Sequence, residues 1–223
     1  MSKEWKICLP LYKIVYSICF IVILPLVRGI SGEAEIGITL QTAIGILAFV
    51  FCGDTYECEY TGKRWEVFSL RPHKYQVKAI RRRLLIQMVY VYLLSIVGYG
   101  LFYWQRPRME NISSIGLFIQ YLPAAAVSVA FWCCLSVVLS GVLHNMMAGI
   151  GGAFVIWLIL NSTTGEQILG KWNVFAYAFR NSDNAADYSW LCGTVAAMII
   201  AAAMIAALSW VVKMRRNHSR KGV

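Results

Sequence analysis

Charged residues are absent from five long stretches of the chain: Ile14 to Val27, Ile36 to Gly53, Leu84 to Gln105, Asn111 to Gly165 and Tyr188 to Val212. The first extends back to Ile7 if Lys13 is passed over. A bilayer core about 30 Å thick takes roughly 20 apolar residues of α-helix. Four stretches have single-span length, and the run from Asn111, with 55 residues, has room for two spans and a turn. The pattern predicts an all-α, polytopic membrane protein with six transmembrane helices, forming a single transmembrane domain over residues 1–223.

The polar intervals complete the organisation. Met1 to Lys13 mixes Lys3, Glu4 and Lys6 with Trp5, Ile7, Leu9, Leu11 and Tyr12, which reads as an N-terminal interfacial helix anchored by Trp5 and Tyr12. Span one runs from about Lys13 to Val27 with Pro25 near its end, and span two from Ile36 to Gly53. Span three covers Leu84 to about Trp104, span four Ile115 to Leu139 with a bend at Pro123, and span five Met146 to about Asn161. Gly149 and Ala153 form a small-xxx-small pair, a candidate for dimer packing because small residues let helices approach closely. Thr164 to Ser189 holds Ile168, Leu169, Trp172, Val174, Phe175, Tyr177 and Phe179, too apolar for a free loop. It predicts short outer helices lying at, or dipping into, the interface. Span six, from Tyr188 to Val212, leads to a basic tail.

Composition agrees with this reading, since 59% of residues are hydrophobic and 14% charged, against about 25% charged in soluble domains. The net charge of +10 could suggest a nucleic-acid surface, but its distribution alternates with the spans. Three basic residues lie at Lys3, Lys6 and Lys13, eight between Lys63 and Arg83, and five from Lys213 to Lys221, which makes 16 of the 21 Lys and Arg. Excess Lys and Arg marks cytoplasmic loops, so both termini are placed inside a cytoplasmic membrane. Nucleic acid is excluded as a partner, and membrane lipid is the surrounding one. Seven cysteines and three histidines form no CxxC pair and no ligand-spaced cluster, so no metal site is expected. Nothing resembling a cleavage site follows Val27, so the first apolar stretch is expected to remain as a span.

Candidate chemistry is sparse. No Asp, Glu, Lys or Arg lies at mid-depth in the assigned spans, which removes carboxylate proteases, carboxylate proton relays and voltage sensors. His144 and Asn145 sit at a cytoplasmic turn without an acidic neighbour and are expected to cap it. The N-x-S/T triplets at Asn111 and Asn161 occur at chance level. No catalytic residue is assigned and the chain is not expected to be an enzyme. It has no GxxxxGK[ST] run, so ATP would have to act on another polypeptide. That points to Asp54–Arg83, 30 residues with four acidic and eight basic side chains. Tyr56, Tyr60, Trp65, Val67, Phe68 and Leu70 are interleaved with them. A helix from about Thr55 to Leu70, a turn at Arg71–Pro72 and a second helix feeding span three are predicted. A topological connection needs only a few residues, so this length suggests docking.

The same segment reads Glu57-Cys-Glu59-Tyr-Thr-Gly62-Lys-Arg-Trp-Glu66-Val-Phe-Ser-Leu-Arg-Pro72-His-Lys-Tyr-Gln-Val-Lys78. With the six spans, the interfacial helix and the outer helices, it resembles permease subunits of the ABC type-2 exporter family over nearly the full length. The departure is Arg71, where an apolar residue commonly precedes the proline. The resemblance implies a cytoplasmic coupling helix between spans two and three, with Glu57, Glu59, Gly62, Arg64, Trp65, Glu66 and Phe68 against a soluble ABC ATPase. Interfacial anchoring is the plainer role for Tyr60, Trp65 and Phe68. It also implies two copies of that ATPase, which carry ATP and Mg, and a second permease copy, identical or a sister chain. The chain itself would bind no cofactor.

The implied cargo is amphipathic or hydrophobic, such as antimicrobial or cytolytic peptides, as in phenol-soluble-modulin-type exporters. Tyr16, Phe20, Phe49, Phe51, Tyr92 and Tyr99 are the candidate path residues, with helix packing or lipid contact as their plainer roles. Multidrug or antibiotic export is the close alternative, and a non-transporting membrane scaffold is the alternative from another class.

Overall fold

A computed structural model describes residues 5, 7–30, 32–56, 68, 70–105, 114–180 and 188–221, with side chains as far as 214. Among the described residues the regular structure is helical throughout. The helices are α1 (Leu11–Val27), α2 (Ala34–Cys52), α3 (His73–Trp104), α4 (Ser114–Val142), α5 (Met146–Leu160), α6 (Thr163–Leu169) and α7 (Trp190–Lys221), with a 3-10 turn at Gly170–Trp172. Helices satisfy every backbone group within one segment, which is why apolar chains of this kind adopt them where water is absent.

Four of these helices, α2, α3, α4 and α7, are long and apolar enough to cross a membrane. The pair formed by Met146–Leu160 and Thr163–Trp172, bent by 72°, passes the same test together, and α1 is a shorter apolar helix. The chain is therefore a multi-pass membrane protein by helix length and composition.

α4 lies at the centre, packed against α2, α3, α5 and α7, while α1 rests mainly on α3 and touches α2 only slightly. Depth of packing follows sequence. α2 carries small residues (Ala34, Gly37, Ala43, Gly45, Ala48) and is enclosed along most of its length. α3 exposes Leu85, Val89, Leu93 and Val97, a stripe at four-residue spacing on one helix face. α1 and α7 likewise turn large apolar side chains outward, such as Val22, Leu26, Val195 and Ile199. In water this surface would be an aggregation liability; against lipid it is the expected one.

Close helix approach depends on glycine at specific points. At Gly149 an added Cβ would stand 2.2 Å from Ser140 Oγ and 2.5 Å from the Ser140 backbone nitrogen. Gly149 and Ala153 are both buried in α5. Gly149 thus serves the contact of α5 with α4 of the same chain, and the close approach it permits is intrachain.

Several boundaries differ from expectation for identifiable reasons. α3 begins at His73 rather than near the membrane, because Pro72, with φ −55°, starts the helix and nothing after it interrupts. The second helix expected after Pro72 and the expected span three are therefore one element. Pro123 sits inside α4, which continues to Val142. Of the expected N-terminal interfacial helix, residues 1–4 and 6 lie outside the described residues; the Leu9 amide donates to the Trp5 carbonyl at 2.9 Å. Most of the expected helix from Thr55 to Leu70 lies outside the described residues. Its first residues, Asp54 to Tyr56, form a buried turn.

Candidate functional site

Among the described residues, a cluster of buried polar groups lies where the start of α1, the end of α2 and the middle of α3 meet. Lys13, in the first turn of α1, is 3% exposed and forms an ion pair with Asp54, just beyond α2. Its ammonium also donates to the Phe51 carbonyl at 2.8 Å and lies 4.8 Å from the centre of the Phe51 ring. A buried ammonium is tolerated only where acceptors surround it, and here a carboxylate, a carbonyl and an aromatic face do so.

The neighbouring groups extend the cluster. Thr55 Oγ1 lies 2.7 Å from Gln87 Oε1 and donates to it, which ties the loop to α3. Ser17 Oγ on α1 lies 2.9 Å from the Tyr90 hydroxyl on α3. Tyr90 stacks on Phe51 at 5.2 Å, and Tyr16 approaches the same ring at 6.0 Å. Three helices and the start of the 54–83 connection thus meet on one hydrogen-bonded patch. The far end of that connection is fixed as well. Gln76 Nε2 on α3 donates to the carbonyls of Phe68 at 2.9 Å and Arg71 at 3.0 Å, and the Phe68 side chain is buried.

Of the expected coupling residues, Glu57, Glu59, Gly62, Arg64, Trp65 and Glu66 lie outside the described residues. Phe68 is described, and it packs into the chain's own core. The six aromatic path candidates do not gather in one place within this chain. Tyr16 and Phe51 meet where Lys13 lies over the Phe51 ring. Phe49 faces the other way, 6.0 Å from Trp132 on α4 and 6.3 Å from Phe154 on α5. Phe20 and Tyr92 are half-buried against the core.

Tyr99 belongs to a separate feature. With Ile96, Gly100, Tyr103, Ile115 and Phe118 it lines an apolar crevice of about 390 Å³ between α3 and α4. Nothing lies within 4 Å of where a Gly100 Cβ would be, which keeps the crevice open. Behind Tyr99 an aromatic relay runs inward: Tyr99 to Tyr121 at 5.0 Å, Tyr121 to Tyr177 at 6.3 Å, and Tyr177 to Trp190 at 5.1 Å.

That relay shows what becomes of the segment between α6 and α7. After α6 and the 3-10 turn, residues 173–178 turn into the bundle, with Asn173, Phe175 and Tyr177 fully buried. Phe175 stacks on Trp132 at 5.6 Å. Asn173 makes the dip possible by bonding at both ends of its amide: Nδ2 donates to the Leu160 carbonyl at 2.9 Å, and Oδ1 accepts from the Phe175 amide at 3.0 Å. Gly193 admits the passing backbone, since a Cβ there would lie 2.1 Å from the Asn173 carbonyl oxygen.

The expected cap is present. Asn145 Oδ1 accepts from the Met147 amide at 2.8 Å and the Ala148 amide at 3.3 Å, opening α5. His144 precedes it at φ 56°, in the left-handed region.

Sequence reasoning missed the Lys13–Asp54 pair, although a signal for it existed. Two opposite charges border adjacent spans, and the distribution of Lys and Arg puts both on the same side of the membrane. Comparison of the chain with protein-family models, curated proteins and solved structures gives no match.

Proposed function

We propose that this chain is the permease subunit of an ATP-driven ABC exporter of amphipathic or hydrophobic cargo, working with a second permease copy and two soluble ATPase subunits. The observation that carries the reading is the way the 54–83 connection is rooted. Its start is held by Lys13–Asp54 and Thr55–Gln87, and its end by Gln76 on the Phe68 and Arg71 carbonyls. A connection anchored this firmly to three helices is suited to passing a push from a cytoplasmic partner into the bundle. A loop that merely joined two spans would need no such roots.

The six-span count belongs to the same proposal. α1, with 17 residues, spans about 25 Å at 1.5 Å per residue, enough for a slightly thinned bilayer. The α5–α6 pair supplies the fifth span. The cytoplasmic side for both termini and for the 54–83 connection follows from the Lys and Arg distribution. The crevice beside Tyr99, apolar and on the outer surface of two helices, suits cargo arriving from within the bilayer. Small planar drugs would fit such a crevice too, so multidrug export is the second reading.

The test is reconstitution with a candidate ATPase. An amphipathic helical peptide should raise ATP hydrolysis more than a scrambled peptide of equal charge. Glu57→Ala with Glu66→Ala should abolish that stimulation while leaving the chain inserted. Those positions are nine residues apart, 2.5 turns of a helix, so at least one would face the ATPase. An unaltered response in the double variant removes the connection from coupling, and failure of any ATPase to co-purify favours the scaffold alternative.

A further inference from the structure

Between the end of α6 and the start of α7 the outer face holds a second cavity, of about 450 Å³. Among the described residues its wall includes Glu166, Gln167, Lys171, Phe179, Arg180 and Ser189. Unlike the crevice at Tyr99, it is a charged pocket, with two cations and one carboxylate on its wall.

Arg180 is the fixed element. It is 9% exposed, its Nη1 donates to Gln120 Oε1 at 2.5 Å, and its guanidinium carbon lies 4.2 Å from the centre of the Tyr177 ring. Its Nε is buried and has no hydrogen-bond partner among the described residues. A guanidinium carries five N–H donors in a rigid fork. Held by Gln120 and Tyr177, this one lines the cavity and keeps a buried Nε–H that no described residue accepts. Among the described residues no carboxylate forms an ion pair with it; a desolvated charge favours a counter-charge, and an anion in the pocket would supply one.

The other two charges define the anion further. Lys171 adds a mobile second cation, and Glu166 adds a carboxylate on the same wall; both are exposed. A bare anion would be repelled by Glu166, whereas a phosphate ester bearing an ammonium group would match all three charges. The surroundings favour a membrane source. Ile168, Leu169 and Trp172, on the same short helix and 3-10 turn, are exposed at 77%, 37% and 57%, the composition of an element seated at a lipid interface.

We infer that this pocket binds a phosphate ester carrying an ammonium group, with the phosphate on Arg180 and Lys171 and the ammonium on Glu166. The bilayer headgroup of a phosphatidylethanolamine and a soluble amino-alcohol phosphate share this chemistry. The assignment is independent of the exporter reading.

The experiment uses the full chain in a neutral detergent, with melting followed by tryptophan fluorescence. Dihexanoyl phosphatidylethanolamine, ethanolamine phosphate and inorganic phosphate are titrated separately, because a ligand of the folded state raises the melting midpoint by mass action. The short-chain lipid should act saturably at concentrations at least tenfold below ethanolamine phosphate, which makes the headgroup the ligand. Equal potency of the two would assign the site to a soluble ester instead. Lys171→Gln and Glu166→Gln should each weaken the response to the lipid at least threefold. Glu166→Gln should strengthen the response to dihexanoyl phosphatidylglycerol, which has no ammonium group. Lys171 and Glu166 are exposed, so these substitutions leave the fold in place, and Arg180 stays intact because it also holds Tyr177. The inference is overturned if none of the ligands gives a saturable response, if both variants respond as the parent does, or if inorganic phosphate matches ethanolamine phosphate.

Discussion

Lys13 and Asp54, 41 positions apart, form a buried ion pair that joins the first turn of α1 to the residue after the C-cap of α2. Elsewhere these two helices barely touch. The pair, with the bond from the same ammonium to the Phe51 carbonyl, is therefore the main tie between α1 and α2. Its partner side also begins the 54–83 connection, so one contact sets both the first helix and the root of that connection.

Removing one member should be far worse than removing both. Asp54→Ala leaves a buried ammonium without its counter-charge, and breaking a buried pair this way costs roughly 3–5 kcal/mol. Lys13→Met removes the charge but leaves Asp54, which sits nearer the surface, so its cost should be smaller. The double variant Lys13→Met with Asp54→Leu should recover at least half of the loss in Asp54→Ala, because an apolar pair needs no desolvation. Thermal unfolding in detergent measures all three. A double variant as unstable as Asp54→Ala itself would show that the loss does not come from the unpaired ammonium.

Much of the fold could be read from charge spacing alone. The uncharged runs located α2, α4 and α5 closely, because a helix within the bilayer, whether against lipid or enclosed by other helices, rarely carries charge along its length. Where they misled, the reason is physical. The start of α3 at His73 is invisible to such a scan, since a helix leaving the membrane into water may carry Lys74, Lys78 and Arg81 to Arg83 without a break. The inward dip of 173–178 was legible only as excess apolarity at Val174, Phe175 and Tyr177. What draws it inward is the pair of Asn173 bonds and the space at Gly193, and neither has a periodicity. Gly149 shows the converse: its spacing with Ala153 suggested a dimer contact, whereas Gly149 packs on Ser140 of α4 in the same chain, and spacing does not say which chain the neighbour belongs to.

The cap at Asn145 gives a local prediction. Asn145→Ala removes an acceptor from two amides in the first turn of α5 and should cost about 1 kcal/mol. His144→Gly should change stability by less than about 0.5 kcal/mol. Glycine relieves the left-handed backbone at φ 56°, but the bond from His144 Nδ1 to the Val142 carbonyl at 2.8 Å is lost. Those terms are of similar size and opposite sign.

Sidedness is testable in a cysteine-free background, since the six cysteines among the described residues are all free thiols. Leu70→Cys, at a position 84% exposed, should react with an impermeant maleimide only from the cytoplasmic side. Lys171→Cys, also exposed, should react only from outside. Asn173→Cys, two residues further on, should resist labelling from either side until the protein is unfolded, because that position is fully buried. Labelling of Leu70→Cys and Lys171→Cys from one side would overturn the six-span arrangement.

The packing of α5 on α4 makes the sharpest contrast, because two glycines two residues apart should behave oppositely. A methyl at Gly149 would meet Ser140 Oγ at 2.2 Å, its backbone nitrogen at 2.5 Å and its Cα at 2.6 Å. A side-chain oxygen can rotate away, but the two backbone atoms cannot move without shifting α4. Overpacking of this kind costs typically about 1–3 kcal/mol, and Gly149→Ala should fall in that range, with Gly149→Val worse. At Gly151 nothing lies within 4 Å of the added carbon. There Gly151→Ala should stabilise, by up to about 1 kcal/mol, through the better helix propensity of alanine. Both are read from the shift in melting midpoint of the full chain in one detergent. If Gly151→Ala destabilises as much as Gly149→Ala, the cost is not the clash with Ser140, and that face of α5 packs against something other than lipid, such as a second copy of the chain.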